Sequence, residues 1–139
     1  MTWTLSPVRS EDVKEIWRSI IPLLSPALAY SGGRIDAHSV LDWLLDGRYR
    51  LWVAHQDDMK IIAAFVTREA QYPRKRMLTI DICGGNEMNG WLEAADQTFR
   101  AHSRELGLDG IELFGREGWT RALRRLGWRQ TGVMVEVSA

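Results

Sequence analysis

Apolar and polar residues alternate along several short stretches of this chain, and such alternation predicts β-strands. The alternating stretches are residues 3–8, 50–56, 60–67, 77–83 and 110–114, followed by a last strand after residue 128. Between them, apolar residues recur at helical spacing in four segments. The predicted order of elements is therefore β-α-α-β-β-β-α-β-α-β.

The first two helices begin at polar residues that suit a helix cap. Ser10 is expected to cap the first helix and Asp36 the second, which Gly47 ends. The first helix carries one apolar stripe, made of Val13, Ile16, Trp17, Ile20 and Leu24. Ser25-Pro26 is expected to end or bend this helix, because the residue before a proline disfavours the helical conformation.

The third helix separates two strands that we expect to be parallel neighbours. Its inner face consists of Trp91, Ala95, Phe99, His102 and Leu106. A single crossover helix between strands 77–83 and 110–114 makes them run in the same direction. The other strands follow one another through short turns, so the rest of the sheet is expected to be antiparallel.

The last part of the chain carries the most specific pattern. From residue 110 it reads Gly-Ile-Glu-Leu-Phe-Gly-Arg-Glu-Gly-Trp, and the short helix that follows ends in Leu126-Gly127-Trp128 before the last strand. This resembles the C-terminal half of the GNAT superfamily of N-acetyltransferases, where Leu-Gly-Phe precedes a strand. The resemblance covers nearly the whole chain. It implies a single α+β domain over residues 1–139, with a mixed six- to seven-stranded sheet, one parallel pair and flanking helices.

The composition argues against several classes of function. The chain has 18 basic and 18 acidic residues, so no net charge attracts nucleic acid or an anionic membrane. No apolar run is long enough to cross a bilayer. Three histidines and one cysteine show no metal-ligand spacing, so we expect no metal. A single cysteine fits a reducing compartment, and the cytoplasm is the expected location.

In the GNAT family, acetyl-coenzyme A (acetyl-CoA) binds where the two parallel strands separate, with its diphosphate on a glycine-rich loop before the next helix. The resemblance makes the candidate cofactor-binding residues Cys83, Gly84, Gly85, Asn89 and Gly90. The family's opening Arg or Gln is missing, and Asn89 and Trp91 replace small residues of its motif. Glycines let a backbone approach phosphate, but they are equally ordinary at a strand-to-helix turn. We therefore expect no cofactor, or acetyl-CoA if the protein is active.

Two carboxylates are candidates for a catalytic base. Alternation places Thr79, Asp81 and Cys83 on one face of their strand, and Glu112 lies on the neighbouring strand. If Asp81 and Glu112 lie close together, each raises the pKa of the other, as a general base requires. The alternative is a carboxylate pair without catalytic duty. The Tyr that commonly donates a proton in the family falls on Leu123, which has no proton to give, so whether the chain is an enzyme stays open.

Residues 115–129 also resemble small acetyltransferase-fold proteins of tailed phages, similar to internal virion protein A. That resemblance implies an accessory role in the virion or its assembly, through contact with another protein or a second copy, in the host cytoplasm or the virion. Arg116, Trp119 and Arg124 are the expected contact residues, since Arg and Trp are enriched at interface hot spots. Alternatively, Trp119 is a core residue and the arginines are solvated. The second functional hypothesis is an acetyl-CoA-dependent N-acyltransferase with an atypical diphosphate loop and an unknown amine substrate.

Overall fold

Five strands and four α-helices follow one another along residues 2–139, which the computed structural model describes. The strands are β1 (Thr4–Val8), β2 (Arg50–His55), β3 (Ile61–Tyr72), β4 (Lys75–Gly85) and β5 (Gly110–Leu113). The helices are α1 (Val13–Tyr30), α2 (Ala37–Leu45), α3 (Met88–Glu105) and α4 (Gly118–Arg124). No helix among these residues is both long enough and apolar enough to span a membrane.

The strands form one mixed sheet in the order β1-β2-β3-β4-β5. Neighbours from β1 to β4 are antiparallel, and β4 and β5 are parallel, with Met77 opposite Gly110 and Ile80 opposite Leu113. The predicted parallel pair is therefore confirmed. The expected six or seven strands are wrong, because residues 129–139 form no strand and the sheet has five.

The sheet separates two hydrophobic cores. On one face, α1 and α2 bury residues such as Leu24 and Leu44 against the inner strands. On the other face, α3 and α4 contribute Phe99 and Leu123 to a core that includes Ile80 of β4. This division follows from the pleat, which sends successive side chains of a strand to opposite faces.

Helix α1 is longer than the sequence predicts. It continues through Pro22 and Pro26 to Tyr30, so of the two expectations for Ser25-Pro26, an end or a bend, the end is wrong. An interior proline costs a helix about 3 kcal/mol. However, Ile20 and Leu24 are fully buried, and each such side chain gains roughly 1.5–3 kcal/mol when it leaves water. The buried stripe, which extends beyond these two residues, therefore holds the helix together across its prolines.

The two predicted helix caps have opposite outcomes. The carboxylate of Asp36 accepts a hydrogen bond from the backbone N–H of Ser39 at 2.8 Å, as expected for the cap of α2. The expected cap at Ser10 is wrong: residues 10–12 form a 3-10 turn, and α1 begins only at Val13, without a side-chain cap.

A β-bulge in β4 overturns the predicted alternation of that strand. The register of β3 and β4 passes from Thr67–Ile80 to Val66–Ile82, so Asp81 is an extra residue on β4. One extra residue reverses the facing of everything that follows it. As a result, Ile82 lies in the α1/α2 core and Cys83 in the α3/α4 core. The prediction that Asp81 and Cys83 share one face is therefore wrong.

Candidate functional site

The parallel strands β4 and β5 separate beyond Ile80 and Leu113. The last backbone hydrogen bond between the two segments joins the N–H of Phe114 to the carbonyl oxygen of Ile80 at 3.2 Å. Beyond this hydrogen bond, β4 stays paired with β3 as far as Gly85. The segment that follows β5 instead turns away through residues 115–117 into α4. We call this opening the fork. It lies at the carboxyl ends of two parallel strands, where open sheets commonly bind ligands.

Trp91 occupies the interior between the fork and the first turn of α3. Its side chain is 1% exposed, and its ring packs edge-on against Phe65 at a centroid distance of 5.2 Å. The Trp119 ring lies 6.4 Å away on the side of α4. The indole N–H donates to the backbone oxygen of Asn86 at 2.6 Å, which ties the side chain to the loop before α3. The Trp91 ring therefore lies beside the fork, in the α3/α4 core between Phe65 and Trp119.

The loop that leads into α3 is largely exposed, and one aromatic ring lies close to it. A side-chain carbon added to Gly90 would lie 2.7 Å from the indole nitrogen of Trp3, so the Trp3 ring lies against one side of this exposed glycine. Two backbone N–H groups of the loop are already engaged, Asn86 with Ile62 and Gly90 with Glu87. Exposed Glu87 precedes α3 in a left-handed conformation, at φ 56° and ψ 41°. Its negative charge suits the positive end of the helix dipole but repels another anion there.

Gly84 and Gly85 serve the close packing of β4. A side-chain carbon on Gly84 would lie 2.2 Å from the backbone oxygen of Leu23 in α1. On Gly85 it would lie 2.4 Å from the backbone oxygen of Ile62 and 2.5 Å from Ala63. Both glycines therefore allow α1 and β3 to approach the strand. Their assignment as cofactor-binding residues stays a prediction, and this packing argues against it.

The other two candidate cofactor residues lie apart from each other. Cys83 is buried in the α3/α4 core, and this burial raises the pKa of its thiol to about 12, although the charge of Arg116 opposes the rise. A thiol of that kind is neither a nucleophile nor a ligand at neutral pH. Asn89 is exposed in the first turn of α3. Neither Cys83 nor Asn89 by itself forms a binding site for phosphate.

The candidate bases Asp81 and Glu112 belong to one polar cluster on the α1/α2 side of the sheet. Arg68 forms an ion pair with Asp81, with 2.5 Å between Nε and Oδ2, and the Asp81 side chain is 9% exposed. Glu112 accepts hydrogen bonds from the hydroxyls of Tyr72 at 2.5 Å and Thr79 at 2.8 Å. Each carboxylate thus has its own partners, and among the described residues no hydrogen bond joins the two.

Two tyrosines close this cluster. The hydrogen bond to Glu112 raises the pKa of Tyr72, and burial raises the pKa of Tyr49, next to Asp81 and Arg68. Both hydroxyls therefore stay protonated at neutral pH. The oxygens of these two carboxylates are already engaged by an arginine or by two hydroxyl donors, which suits a structural network better than a base. The catalytic role of Asp81 and Glu112 stays a prediction.

The three expected contact residues differ in exposure. Arg116 is exposed and its guanidinium carbon lies 5.9 Å from the centre of the Tyr30 ring. Arg124 is exposed on α4. Trp119 is half-buried and packs against the α3/α4 core, as the alternative interpretation of this residue required. Leu123, in the place of the family's proton donor, is buried in the same core.

One group that sequence reasoning missed ties α3 to the end of α4. The carboxylate of Asp96, 9% exposed, accepts a hydrogen bond from Trp128 Nε1 at 2.7 Å and one from Arg100 Nε at 2.9 Å. Arg100 also donates to the backbone oxygen of Leu126 at 2.7 Å. The four-residue spacing of Asp96 and Arg100 predicts their pairing. The contact with Trp128 follows only from the folded arrangement.

Two surface cavities lie away from the fork, between the start of α1 and the α2–β2 connection. One has a volume of about 450 Å³ and is lined by Lys14 and Leu45 among others. The second has about 210 Å³ and includes Arg9 and Gly47. Within residues 2–139, no group of three or more His, Cys, Asp or Glu side chains is placed to hold a metal ion.

Comparison with known proteins gives a likeness in structure alone. No family model matches the chain, and no curated protein matches it. The crystal structure of a predicted acetyltransferase from Clostridium acetobutylicum with acetyl-CoA has a TM-score of 0.69 at 15% identity, over 99% of this chain and 96% of that chain. A GCN5-related N-acetyltransferase from Ralstonia eutropha has a TM-score of 0.67 at 19% identity, over 99% of both chains.

A ribosomal-protein-alanine N-acetyltransferase from Brucella melitensis has a TM-score of 0.69 at 13% identity, over 99% of this chain and 100% of that one. Such likeness confirms the predicted GNAT fold. At these identities it establishes the fold alone, because one fold hosts many functions. The fold implies acetyl-CoA, and the residues around the fork do not fit it: the Trp91 ring is buried beside the fork, Trp3 lies against Gly90, and Glu87 opposes a diphosphate.

Proposed function

We propose that this chain keeps the GNAT fold with a degenerate acetyl-CoA site and acts through contacts with other proteins. The single observation that carries the proposal is the burial of Trp91, with 1% of its side chain exposed at the fork. A ligand would have to displace an indole ring that packs against Phe65 and donates a hydrogen bond to Asn86. Displacing a buried aromatic side chain costs several kcal/mol, roughly 3–5 by the measure of alanine substitution.

Exposed apolar side chains support action through contacts. Tyr30 is 59% exposed and Phe114 is 51% exposed. Arg116 lies over the Tyr30 ring at 5.9 Å, so an arginine and an aromatic ring meet at the surface near the fork. Arg, Tyr and Phe are residue types enriched at protein interfaces.

We place this contact role in the virion or the assembly of a tailed phage. The support is the resemblance of residues 115–129 to acetyltransferase-fold proteins of phages, together with a fold that has lost the usual proton donor at Leu123. The chain then works in the host cytoplasm or as part of the particle. Neighbouring genes of an encoding phage genome supply the partners to be tested.

The alternative is an acetyl-CoA-dependent N-acyltransferase with an atypical diphosphate loop. It is favoured by the fold itself, since one similar structure was determined with acetyl-CoA. In that case Asp81 or Glu112 is the base, and a water molecule replaces the missing proton donor. The reaction would transfer an acetyl group to an amine of unknown identity.

Calorimetric titration with acetyl-CoA and with free coenzyme A tests both functions. We expect no binding up to roughly millimolar ligand, equivalent to about −4 kcal/mol. A dissociation constant in the low micromolar range, about −8 kcal/mol, contradicts the proposal. If binding is found, Asn89→Glu in the first turn of α3 should weaken it, whereas the matched control Gln97→Glu, at an exposed position further along α3, should not.

Association assays test the contact surface. Arg116→Glu and Arg124→Glu should each reduce co-purification with the products of neighbouring genes, because charge reversal at a contact repels the partner. Arg104→Glu, exposed near the end of α3, is the matched control. Trp119→Ala is informative only if circular dichroism and thermal melting show that the chain stays folded, since this side chain packs on the core. Unchanged association of all three variants contradicts the contact role of these residues.

A further inference from the structure

Helix α4 and the residues beside it concentrate positive charge on a chain that is neutral as a whole. Residues 115–129 have a net charge of +4, from the arginines Arg116, Arg121, Arg124, Arg125 and Arg129 and the single acid Glu117. Because the whole chain has no net charge, the rest of it carries −4. All five arginines are exposed. Arg121, Arg124 and Arg125 follow one another at helical spacing on one face, which we call the arginine surface.

None of the five arginines forms an ion pair with a carboxylate of residues 2–139, not even with Glu117. Elsewhere in the same part of the chain ion pairs are common, and they involve Arg9, Arg34, Arg48, Arg68, Arg76 and Arg100. The positive charge around α4 is therefore left without a counter-charge in its own chain.

The helix dipole does not account for this concentration of charge. Arg121 and Arg124 lie in the last turn of α4, where a cation is favourable. Arg116 instead precedes the helix, at its positive end, where a cation is unfavourable. Like charges three and four residues apart also destabilise a helix. The fold thus gains little from these arginines together, which points to a function outside the chain.

Arg116 is held in a position that leaves its hydrogen-bond donors free. Its guanidinium carbon lies 5.9 Å from the centre of the Tyr30 ring. A guanidinium over an aromatic face is attracted by the ring without using its N–H groups. Those groups remain available as a planar fork that matches the two oxygens of a carboxylate.

We propose that the arginine surface, together with Arg116, binds an acidic segment of another protein. Arg121 and Arg125 lie one helical turn apart, about 6 Å along the axis. Carboxylates on alternate residues of an extended segment are separated by a similar distance, about 6.6 Å, so one such segment can pair with both arginines. The inference rests on the proposed function, to which it adds the chemical class of the partner.

Nucleic acid fits this surface less well than a protein segment. Helix α4 has seven residues and is about 10 Å long, whereas a DNA duplex carries one charge per about 1.7 Å over its whole length. A duplex would therefore extend onto a chain whose remaining charge is −4. Exposed Glu87 and Glu93 belong to the start of α3, the helix that Trp128 ties to the end of α4 through Asp96. A short acidic segment ends before it meets that repulsion.

Fluorescence anisotropy with a labelled synthetic peptide of alternating glutamate and serine tests the proposal. We expect the full chain to bind this peptide and not the same peptide with glutamine in place of glutamate. Arg121→Glu combined with Arg125→Glu should weaken binding by roughly tenfold or more, because like charges then face each other. Arg18→Glu combined with Arg74→Glu is the matched control, since it changes the net charge equally at exposed sites on α1 and in the β3–β4 turn. At physiological salt it should weaken binding by less than about threefold, because distant exposed charges are screened. Circular dichroism verifies the fold of both variants.

Several results overturn the proposal. One is a glutamate peptide that does not bind, and another is equal weakening by the two double variants, which means a general charge effect. Equal or tighter binding of an oligothymidylate of the same charge identifies nucleic acid as the occupant. Self-association of the unaltered chain that Arg121→Glu with Arg125→Glu abolishes identifies a second copy. Displacement of the peptide by micromolar coenzyme A assigns the surface to a coenzyme site. Calorimetry with acetyl-CoA contradicts the proposed function without changing the peptide result, so the two failures are distinguishable.

Discussion

Replacing Trp91 by alanine is the sharpest test of how the fork is built. The side chain is 1% exposed, contacts Phe65 and lies near Trp119, and donates its N–H to Asn86. Removing a buried tryptophan costs about 3–5 kcal/mol, because the transfer energy is lost and a cavity is left. The hydrogen-bonded oxygen of Asn86 is near the surface and regains water, so it adds little to this cost. A total of that size lowers the midpoint of thermal unfolding by roughly 10–20 °C.

Urea titration followed by circular dichroism measures the free energy of unfolding of Trp91→Ala. Trp43→Ala is the matched control: Trp43 is half-buried and stacks on Tyr49 at 5.0 Å, so we expect a smaller loss of roughly 1–2 kcal/mol. A loss for Trp91→Ala below about 1 kcal/mol refutes the claim that this ring fills the fork. Acetyl-CoA binding that appears only in the variant supports the claim that the ring blocks a latent site.

Three further expectations follow from the packing. Gly84→Ala should lower the free energy of unfolding by about 1–3 kcal/mol, because the added carbon would lie 2.2 Å from the backbone oxygen of Leu23. Gly118→Ala should be neutral or slightly stabilising in the same urea titration, because its added carbon would have no atom within 4 Å. Burial raises the pKa of the Cys83 thiol to about 12, so a thiol reagent at pH 8 should label it only after denaturation, and rapid native labelling contradicts this. Burial, with the charge of Arg50, lowers the pKa of His102. The folding stability should therefore be highest above the pKa of an unfolded histidine, about 6.5, and fall as the pH drops below it. His102→Gln should reduce that fall.

The parts of the fold that depend on local pattern could be predicted from the sequence. The crossover helix between two strands predicts the parallel pair, and the observed register from Met77–Gly110 to Ile80–Leu113 confirms it. The cap at Asp36 depends on one side chain and the backbone N–H three residues later, so it can also be predicted from the sequence. The Asp36 cap depends on residues close together in the sequence. The parallel pair follows from the preferred handedness of a strand-helix-strand connection.

The bulge at Asp81 could not be predicted, because it is a property of two strands and not of one. Period-two alternation assigns Ile82 and Cys83 to faces that the extra residue reverses. The bulge lets the Asp81 carboxylate meet Arg68 while the next residue returns to the apolar core. For the candidate site this is decisive, since it separates Asp81 from Cys83 and leaves Glu112 with its own donors, Tyr72 and Thr79.

The predictions for the prolines of α1 and for the tail, residues 129–139, were wrong for a related reason. Local propensity ends a helix before Pro26, yet Leu24 is buried and the helix continues to Tyr30 because tertiary burial outweighs propensity. In the tail, propensity predicts a strand, but a strand needs a partner before it forms. The valine pattern therefore does not by itself decide whether the tail forms a strand.

The space where β4 and β5 separate relates the proposed loss of the cofactor site to the buried side chain of Trp91. Two parallel strands that separate leave a gap, and protein interiors do not tolerate gaps of that size without cost. Either a bound ligand or a side chain must occupy the space. In the proposed function, the buried Trp91 ring takes the place of a ligand beside the fork. It follows from this proposal that the fold is stable without a cofactor, and that removing the ring costs stability because nothing else occupies its place.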